Sequence, residues 1–180
     1  MNWFKQAQKV DSEYFTELFG KNVLNQQILE NINDHFKIQS FIGCGDDGCA
    51  YRLQNNLVLK ITSNPKEAKV YFYLMEQNVP HTVNVIQIQR EGQLFYVVKE
   101  WIPDAPTNIK SIIQKIETYL DARKCYNPFC ALKILQTKAY PLKNQIESYL
   151  KAIQGVPVYD FLNANNVGWK NGQIVFFDIS

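Results

Sequence analysis

Residues 41–51 read FIGCGDDGCAY and contain three glycines in the spacing G-x-G-x-x-G. Glycine has no Cβ, so a backbone rich in glycine turns tightly and brings its N–H groups against phosphate oxygens. In a dinucleotide-binding fold a helix opens within such glycines, whereas residues 50–53 here have the pattern of a strand. The sequence therefore predicts a phosphate-binding loop that joins two strands.

A third strand follows at once. Asn55 and Asn56 tolerate a positive φ in a two-residue hairpin, and residues 57–62 (LVLKIT) return as a strand that carries Lys60. The run Ser63-Asn64-Pro65 then predicts the start of a helix over residues 65–76. The strands predicted in this region cover residues 38–43, 49–54, 57–62, 83–89 and 94–101.

The remainder of the chain has mainly helical patterns. Apolar residues at helical spacing predict helices within residues 1–36 and over 108–120 and 145–153, and no element is predicted for 125–142. The periodicity changes near residue 38, and prolines follow residue 102. We therefore expect an α+β chain with an N-terminal helical extension (1–37), a strand-rich part (38–102) and a mostly helical part (103–180).

Composition is that of a packed domain with little net charge. The chain of 180 residues is 46% hydrophobic and 13% aromatic, and its formal charge is +2. This charge gives no electrostatic reason to expect binding to nucleic acid or to an acidic membrane. No apolar run reaches the roughly 18 residues needed to span a bilayer, and the start MNWFK lacks the apolar core of a signal peptide. We expect a cytoplasmic protein.

The four cysteines form two C-x4-C pairs, Cys44 with Cys49 and Cys125 with Cys130. This spacing is looser than the C-x2-C knuckles of structural zinc sites, and neither histidine is near these cysteines in sequence. In a cytoplasmic chain the preferred interpretation is reduced thiols that act as small apolar residues.

A second group of polar residues lies near the C-terminus. Asp160 is followed five residues later by Asn165, and a short predicted hairpin ends in the apolar strand that precedes Asp178. An aspartate suits the acceptance or orientation of a hydroxyl proton, while an amide oxygen and a carboxylate suit Mg²⁺. The order of these groups is that of the catalytic groups of kinases.

With these motifs the chain resembles the protein-kinase-like superfamily, nearer to its small bacterial, phage or aminoglycoside-phosphotransferase-like members than to eukaryotic protein kinases. The resemblance covers roughly residues 38 to 178. It implies a two-lobed fold, with a five-stranded antiparallel sheet and one helix in the first lobe and a minimal, mostly helical second lobe.

The resemblance also implies a role for each motif residue. Glycines 43, 45 and 48 would cover the phosphates, and Lys60 would contact the α- and β-phosphates of ATP with Glu67 as its ionic partner. Asp160 would be the catalytic base, and the Mg²⁺ ligands would be Asn165 and Asp178, with Asn166 as an alternative to Asn165. The implied nucleotide-contacting set is Gly43, Gly45, Gly48, Ala50, Lys60, Glu67 and Glu100, the last in the strand end that resembles the adenine-contacting hinge.

Each residue also has an ordinary structural interpretation. Lys60 and Glu67 suit a strand and the first turn of a helix, where the helix dipole favours an acidic residue. Asp160 and Asn165 suit turns and caps. Kinases usually have a histidine two residues before the catalytic aspartate, and this chain has Val158 at that position. Asp46 and Asp47 place negative charge in the glycine loop, which weakens binding to phosphate.

The roles implied by the resemblance and the departures from the kinase pattern lead to two expected functions. One is an ATP- and Mg²⁺-dependent phosphotransferase that acts on a hydroxyl of an unidentified acceptor, with the acceptor site formed by residues 103–155 or by a second copy of the chain. The other is a kinase-like module without catalysis that engages a nucleotide or a protein partner. The joint presence of Lys60, Asp160, Asn165 and Asp178 favours the first function, because a pure scaffold has no need of all these polar groups, and this is the function we expect. The sequence continues only two residues beyond Asp178, and this favours the second.

Overall fold

The computed structural model describes residues 34–44, 48–156, 158 and 161–178. The helices predicted within residues 1–36 therefore lie outside the described part, except that residues 34–36 are helical. Gly45 and Asp160 also lie outside it. Elements are numbered below along the described residues.

Five strands form one antiparallel sheet, and the predicted α+β class with this sheet is confirmed. In chain order the strands are β1 (Ile38–Cys44), β2 (Gly48–Leu53), β3 (Leu57–Thr62), β4 (Val85–Glu91) and β5 (Leu94–Glu100), and the sheet order is β1-β2-β3-β5-β4. Asn55 and Asn56 have positive φ angles, as the predicted turn between β2 and β3 requires. Strand β4 begins two residues later than predicted.

Alternation along the strands gives the sheet two different faces. One face contributes a buried apolar cluster that contains Ile38, Cys49, Tyr51, Leu53, Leu59, Ile61, Leu94, Tyr96 and Val98. Successive side chains of a strand point to opposite faces, so the residues between these members face the other way. Ala50 and Lys60 therefore lie on the face opposite the apolar cluster.

Helix α1 (Pro65–Gln77) begins where the sequence predicts. The side-chain oxygen of Asn64 accepts hydrogen bonds from the backbone N–H of Lys66 at 3.0 Å and of Glu67 at 3.4 Å. These bonds satisfy two N–H groups that have no partner within the helix, and Pro65 has no N–H to satisfy. The cap thereby fixes the first turn of α1, which carries Glu67.

The remaining elements are three helices, a 3₁₀ turn and a hairpin. They are α2 (Thr107–Asp121), α3 (Pro128–Leu135), α4 (Lys143–Ala152), the 3₁₀ turn Ala164–Asn166, β6 (Val167–Lys170) and β7 (Gln173–Phe176). Helix α3 falls in the segment for which no element is predicted. Asn127 caps it by accepting from the N–H of Cys130 at 2.8 Å, but its two turns are too short for a clear helical period.

The described residues form two compact units. The first contains the residues up to Ala68 together with Ile86–Trp101, and the second contains Lys69–Val85 and the residues from Ile102 onward. Within the described part, no helix combines the length and the apolar character that crossing a membrane requires. The predicted divisions after residues 37 and 102 stay predictions.

Both cysteine pairs are disulfides in the structure, Cys44 with Cys49 and Cys125 with Cys130. The interpretation of the cysteines as reduced thiols is therefore wrong. Cys44 lies directly opposite Cys49 in the antiparallel pairing of β1 with β2, and the Cα atoms of the second pair are 5.7 Å apart. Pairing across a ladder brings such side chains together, and spacing along the sequence does not reveal it.

One buried hydroxyl in the second unit has no hydrogen-bond partner within the described residues. Tyr149 is fully buried, and its ring stacks on that of Phe176 with the centroids 4.1 Å apart. Burial raises the pKa of Tyr149 well above its usual value. An unsatisfied buried hydroxyl costs free energy, so this oxygen destabilises the fold while the ring stabilises it.

We therefore expect Tyr149→Phe to leave the free energy of unfolding unchanged or to raise it by about 1 kcal/mol. The matched control is Tyr71→Phe, because the buried Tyr71 hydroxyl donates to Asp178 Oδ1 at 2.8 Å. That control should lower the free energy of unfolding by about 1 kcal/mol or more. Urea denaturation of both variants measures the difference, and a larger loss in Tyr149→Phe than in Tyr71→Phe would contradict the prediction.

Candidate functional site

Lys60 lies in the middle of the sheet beside small residues. It pairs with Ala50 of β2 and with Val97 of β5, and Ala50 pairs with Gly43 of β1. Directly paired residues point to the same face of a sheet, so these residues form one row on the face opposite the apolar cluster. A Cβ built at Gly43 would have no heavy atom within 4 Å. This face of the sheet is therefore open at Gly43, two strands from the lysine, while Val97 beside the lysine is buried.

An ion pair joins Lys60 to Glu67 in the first turn of α1. The Glu67 side chain is 1% exposed and that of Lys60 is 13% exposed. The expected pairing of these residues is confirmed, while its role in nucleotide binding stays a prediction. Burying a carboxylate is costly unless a cation accompanies it, so the contact holds the lysine ammonium in one place.

The Glu67 carboxylate is incompletely satisfied. Neither of its oxygens has a hydrogen-bond donor among the described residues, apart from the ionic contact of Oε1 with Lys60. A buried carboxylate oxygen in this state is a place where a donor from water or a ligand gains free energy. A positioned cation and an unsatisfied acceptor therefore lie together at Lys60 and Glu67.

The predicted phosphate-contacting glycines differ in their surroundings. Gly48 is buried, and a Cβ built on it would overlap the carbonyl oxygen of Ile61 in β3. The fold itself therefore requires glycine at position 48, whatever the residue does for a ligand. Gly43 has open space around it, and Gly45 lies outside the described residues.

The end of β5, predicted as the nucleotide-contacting strand end, carries a stacked cation. Glu100 is half-buried and pairs with Leu57, and the next residue, Trp101, lies beneath the guanidinium of Arg52 at 3.9 Å from the ring centroid. The N–H of Trp101 donates to the carbonyl of Asn56 at 2.7 Å. Burial lowers the pKa of Arg52 from its usual value. Neither Arg52 nor its contact with Trp101 was predicted from the sequence.

In the second unit, Asp178 is held by a tyrosine. The Tyr71 hydroxyl donates to Asp178 Oδ1 at 2.8 Å, and Tyr71 is fully buried. A hydrogen bond from a fixed donor to a carboxylate is among the stronger ones and orients the group. Tyr71 was not predicted as a site residue, although it lies one turn after Glu67 in a predicted helix.

Backbone hydrogen bonds fix the hairpin that leads to Asp178. On one side, the N–H of Trp169 donates to the carbonyl of Pro103 at 3.0 Å. On the other side, the N–H of Phe176 donates to the backbone carbonyl of His81 at 2.8 Å, and the carbonyl of Phe176 accepts from the N–H of Val83 at 3.1 Å. Both outer edges of the hairpin are thus occupied, so the residues just after β7 have a defined position.

The asparagines before the hairpin have different roles. Asn163 caps the 3₁₀ turn by accepting from the N–H of Asn165 at 2.9 Å. The carbonyl of Asn166 accepts from the N–H of Phe177 at 3.0 Å, which extends the hairpin ladder toward Asp178. Asn165 is exposed and Asn166 is half-buried. Both asparagines therefore remain candidates for the metal ligand.

Asp160, the predicted catalytic base, lies outside the described residues. Val158 before it and Phe161 after it are both buried. Within the described part of the chain, no group of three or more His, Cys, Asp and Glu side chains could hold a metal ion. Asn165, Asn166 and Asp178 flank the hairpin of β6 and β7, and their role as Mg²⁺ ligands stays a prediction.

A cavity of about 200 Å³ adjoins the segment that follows Asp160. Its lining comprises Glu117, Leu120, Asp121, Cys125, Tyr126, Phe161, Leu162 and Asn163. The two carboxylates lie one turn apart on α2, and the lining contains no basic residue. The cavity was not predicted from the sequence, because its walls come from two segments about 40 residues apart along the chain.

Neither the protein-family models nor the curated proteins contain a match to this chain.

The two described glycines of the motif allow fold and function to be separated. Gly48→Ala should lower the free energy of unfolding by about 2 kcal/mol or more, because its Cβ overlaps the β3 backbone. Gly43→Ala is the control, and it should change stability by less than about 1 kcal/mol because the site is open. Thermal and urea denaturation test the pair, and equal losses in both variants would contradict the prediction.

Proposed function

We propose that this chain is a kinase-like phosphotransferase that transfers the γ-phosphoryl group of ATP, in the presence of Mg²⁺, to a hydroxyl of an acceptor. The observation that carries the proposal is the contact between Lys60 and the buried Glu67, with Lys60 in the same row of paired residues as Gly43, where an added Cβ would meet no other atom. A buried ion pair contributes little net stability, so a need to hold the lysine in one position supports its presence here. A lysine that meets phosphate oxygens has such a need.

The proposal assigns one task to each residue of the candidate site. The Lys60 ammonium contacts the α- and β-phosphates, and Glu67 keeps that ammonium on the ligand side of the sheet. Asp178 and one of the two asparagines, Asn165 or Asn166, hold Mg²⁺, and the Tyr71 hydroxyl orients the aspartate. When bound, Mg²⁺ supplies neutralisation of phosphate charge. Asp160 accepts or orients the proton of the acceptor hydroxyl.

The cavity next to Phe161 supports an acceptor site within the second unit. Phe161, which lines the cavity, directly follows the proposed base Asp160 in sequence. Residues from α2 line it, in agreement with the expected contribution of residues 103–155. Its volume of about 200 Å³ is smaller than that of a drug-sized ligand pocket and suits a small group, such as a single side chain of an acceptor.

A second function, nucleotide binding without transfer, is favoured by one specific contact. The Tyr71 hydroxyl engages Oδ1 of the carboxylate proposed to hold the metal. A carboxylate with one oxygen engaged in this way offers a metal fewer ligand positions than a free one. In this alternative the chain is a kinase-like binding module, and a protein partner or a second copy of the chain completes its action.

Calorimetric titration with a non-hydrolysable ATP analogue tests nucleotide binding. We expect binding that strengthens with Mg²⁺, and we expect Asp178→Ala to weaken the Mg²⁺-dependent part by about tenfold or more, because the metal loses a charged ligand. The matched control is Asp104→Ala, which removes an exposed carboxylate that pairs with Lys110 in the same unit. Equal affinities in the presence of Mg²⁺ for Asp178→Ala and the wild type would remove the metal role.

Phosphoryl transfer distinguishes the two functions. Asp160→Ala should lower the rate of transfer by a factor of about 10² or more, with nucleotide affinity nearly unchanged, since this residue acts on the acceptor. The measurement is single-turnover transfer from radiolabelled ATP to the chain or to an added hydroxyl acceptor. Full turnover in the variant shows that the mechanism is wrong, and nucleotide binding without transfer in the wild type supports the binding module.

A further inference from the structure

We propose that the cavity beside α2 binds a guanidinium group on a short alkyl stem, which is the chemistry of an arginine side chain or of a free small guanidine. The inference goes beyond the proposed function, because it concerns binding alone and requires no phosphoryl transfer. The cavity has a volume of about 200 Å³, and all of its lining residues belong to the second unit. This volume is smaller than that of a drug-sized ligand pocket and leaves room for a group the size of one side chain.

Two carboxylates supply the charge of the cavity. Glu117 and Asp121 lie four residues apart on α2, so they are neighbours on one face of the helix, with their Cβ atoms about 5–6 Å apart. Glu117 is half-buried and Asp121 is exposed. The amide of Gln114 donates to Glu117 Oε2 at 3.3 Å, a contact that adds no positive charge.

The surroundings of these carboxylates favour a cation. Among the described residues, no basic side chain lines the cavity. The guanidinium of Arg123 lies 3.6 Å from the ring centroid of Tyr119 and donates to the Tyr119 carbonyl at 3.2 Å, and Lys124 is exposed outside the lining. Asp121 is also the last residue of α2, where the carbonyl end of the helix adds negative potential.

The remaining walls favour an organic cation over a metal ion. The buried lining residues are Leu120, Cys125, Phe161 and Leu162. Divalent metal ions are held by several oxygen ligands, whereas the only other polar side chain deep in this lining is the amide of Asn163, whose oxygen already accepts from the N–H of Asn165 at 2.9 Å. An alkyl stem packs on apolar walls of this kind while its charged head meets the carboxylates.

Two aromatic rings favour a guanidinium over an ammonium. The buried Phe161 and Tyr126, which is 59% exposed, both line the cavity. The disulfide of Cys125 with Cys130 holds the segment that carries Tyr126. A guanidinium is planar and weakly hydrated, so it stacks on a ring while its fork of donors reaches carboxylates. An ammonium is a compact, strongly hydrated charge and gains less from such walls.

Titration of the full chain with small probes, followed by two-dimensional amide NMR spectra, tests the inference. The main probes are n-butylguanidinium and n-butylurea, which have the same number of heavy atoms and differ in charge. We expect the guanidinium to bind about tenfold more tightly than the urea, because only the guanidinium pairs with the carboxylates. A cation of similar length, n-pentylammonium, should bind about threefold more weakly than the guanidinium.

Two double variants assign the binding to the cavity. Glu117→Gln with Asp121→Asn should reduce the preference for the guanidinium over the urea to less than about twofold. The matched control is Glu76→Gln with Asp104→Asn, which removes the same charge from two exposed carboxylates of the second unit that do not line the cavity. The control should keep the full preference, and the spectra also show whether each variant is folded.

Two capped tripeptides identify the source of the group. The peptide acetyl-Gly-Arg-Gly-amide is compared with the same peptide that contains citrulline, the neutral isostere of arginine. A preference for the arginine peptide assigns the cavity to an arginine of a peptide or protein. Binding of n-butylguanidinium without binding of this peptide assigns the cavity to a free small guanidine.

Three results would overturn the inference. They are equal affinities of the wild type for the guanidinium and the urea, an unchanged preference in the variant of Glu117 and Asp121, and an equal loss of preference in the control. Binding of n-pentylammonium as tight as that of the guanidinium would overturn the choice of a guanidinium. None of these measurements involves a nucleotide, so each of these failures is distinct from a failure of the proposed function.

Discussion

The contact between Lys60 and Glu67 constrains the first unit more than any other interaction at the candidate site. A carboxylate that is 1% exposed cannot remain charged at low cost without its cation, so β3 and the first turn of α1 must stay within side-chain reach. Only residues 63 and 64 separate the two elements, and the Asn64 cap fixes the start of the helix. The position of the ammonium therefore follows from a local turn as well as from the sheet.

The register of the sheet then determines what surrounds that ammonium. The same pairing that aligns Gly43, Ala50 and Lys60 sets Gly48 against the β3 backbone and Cys44 opposite Cys49. A shift of one residue would exchange the two faces and send Lys60 into the apolar cluster. Within the glycine motif, Gly48 thus serves the packing of strands, whereas Gly43 has open space around it.

In the second unit a polar group is positioned by buried aromatic residues. Tyr71 orients Asp178 through its hydroxyl, and the hairpin before Asp178 is bonded along both outer edges. Tyr149 contributes its ring to the same unit by stacking on Phe176, while its hydroxyl lacks a described partner. In this unit, buried tyrosines therefore contribute both to packing and to the orientation of a carboxylate.

The sequence by itself determined the elements whose signals are local. Alternating or continuous apolar runs predicted the strands, Asn55-Asn56 predicted the turn between β2 and β3, and Asn64-Pro65 predicted the start of α1, because each signal acts within a few residues. The two turns of α3 were too short to give such a signal. Contacts across the fold were decided by tertiary structure: the disulfide of Cys44 with Cys49 depends on strand pairing, and Tyr71 meets Asp178 across 107 residues. Only packing of the whole unit brings such distant groups together, and no local pattern encodes it.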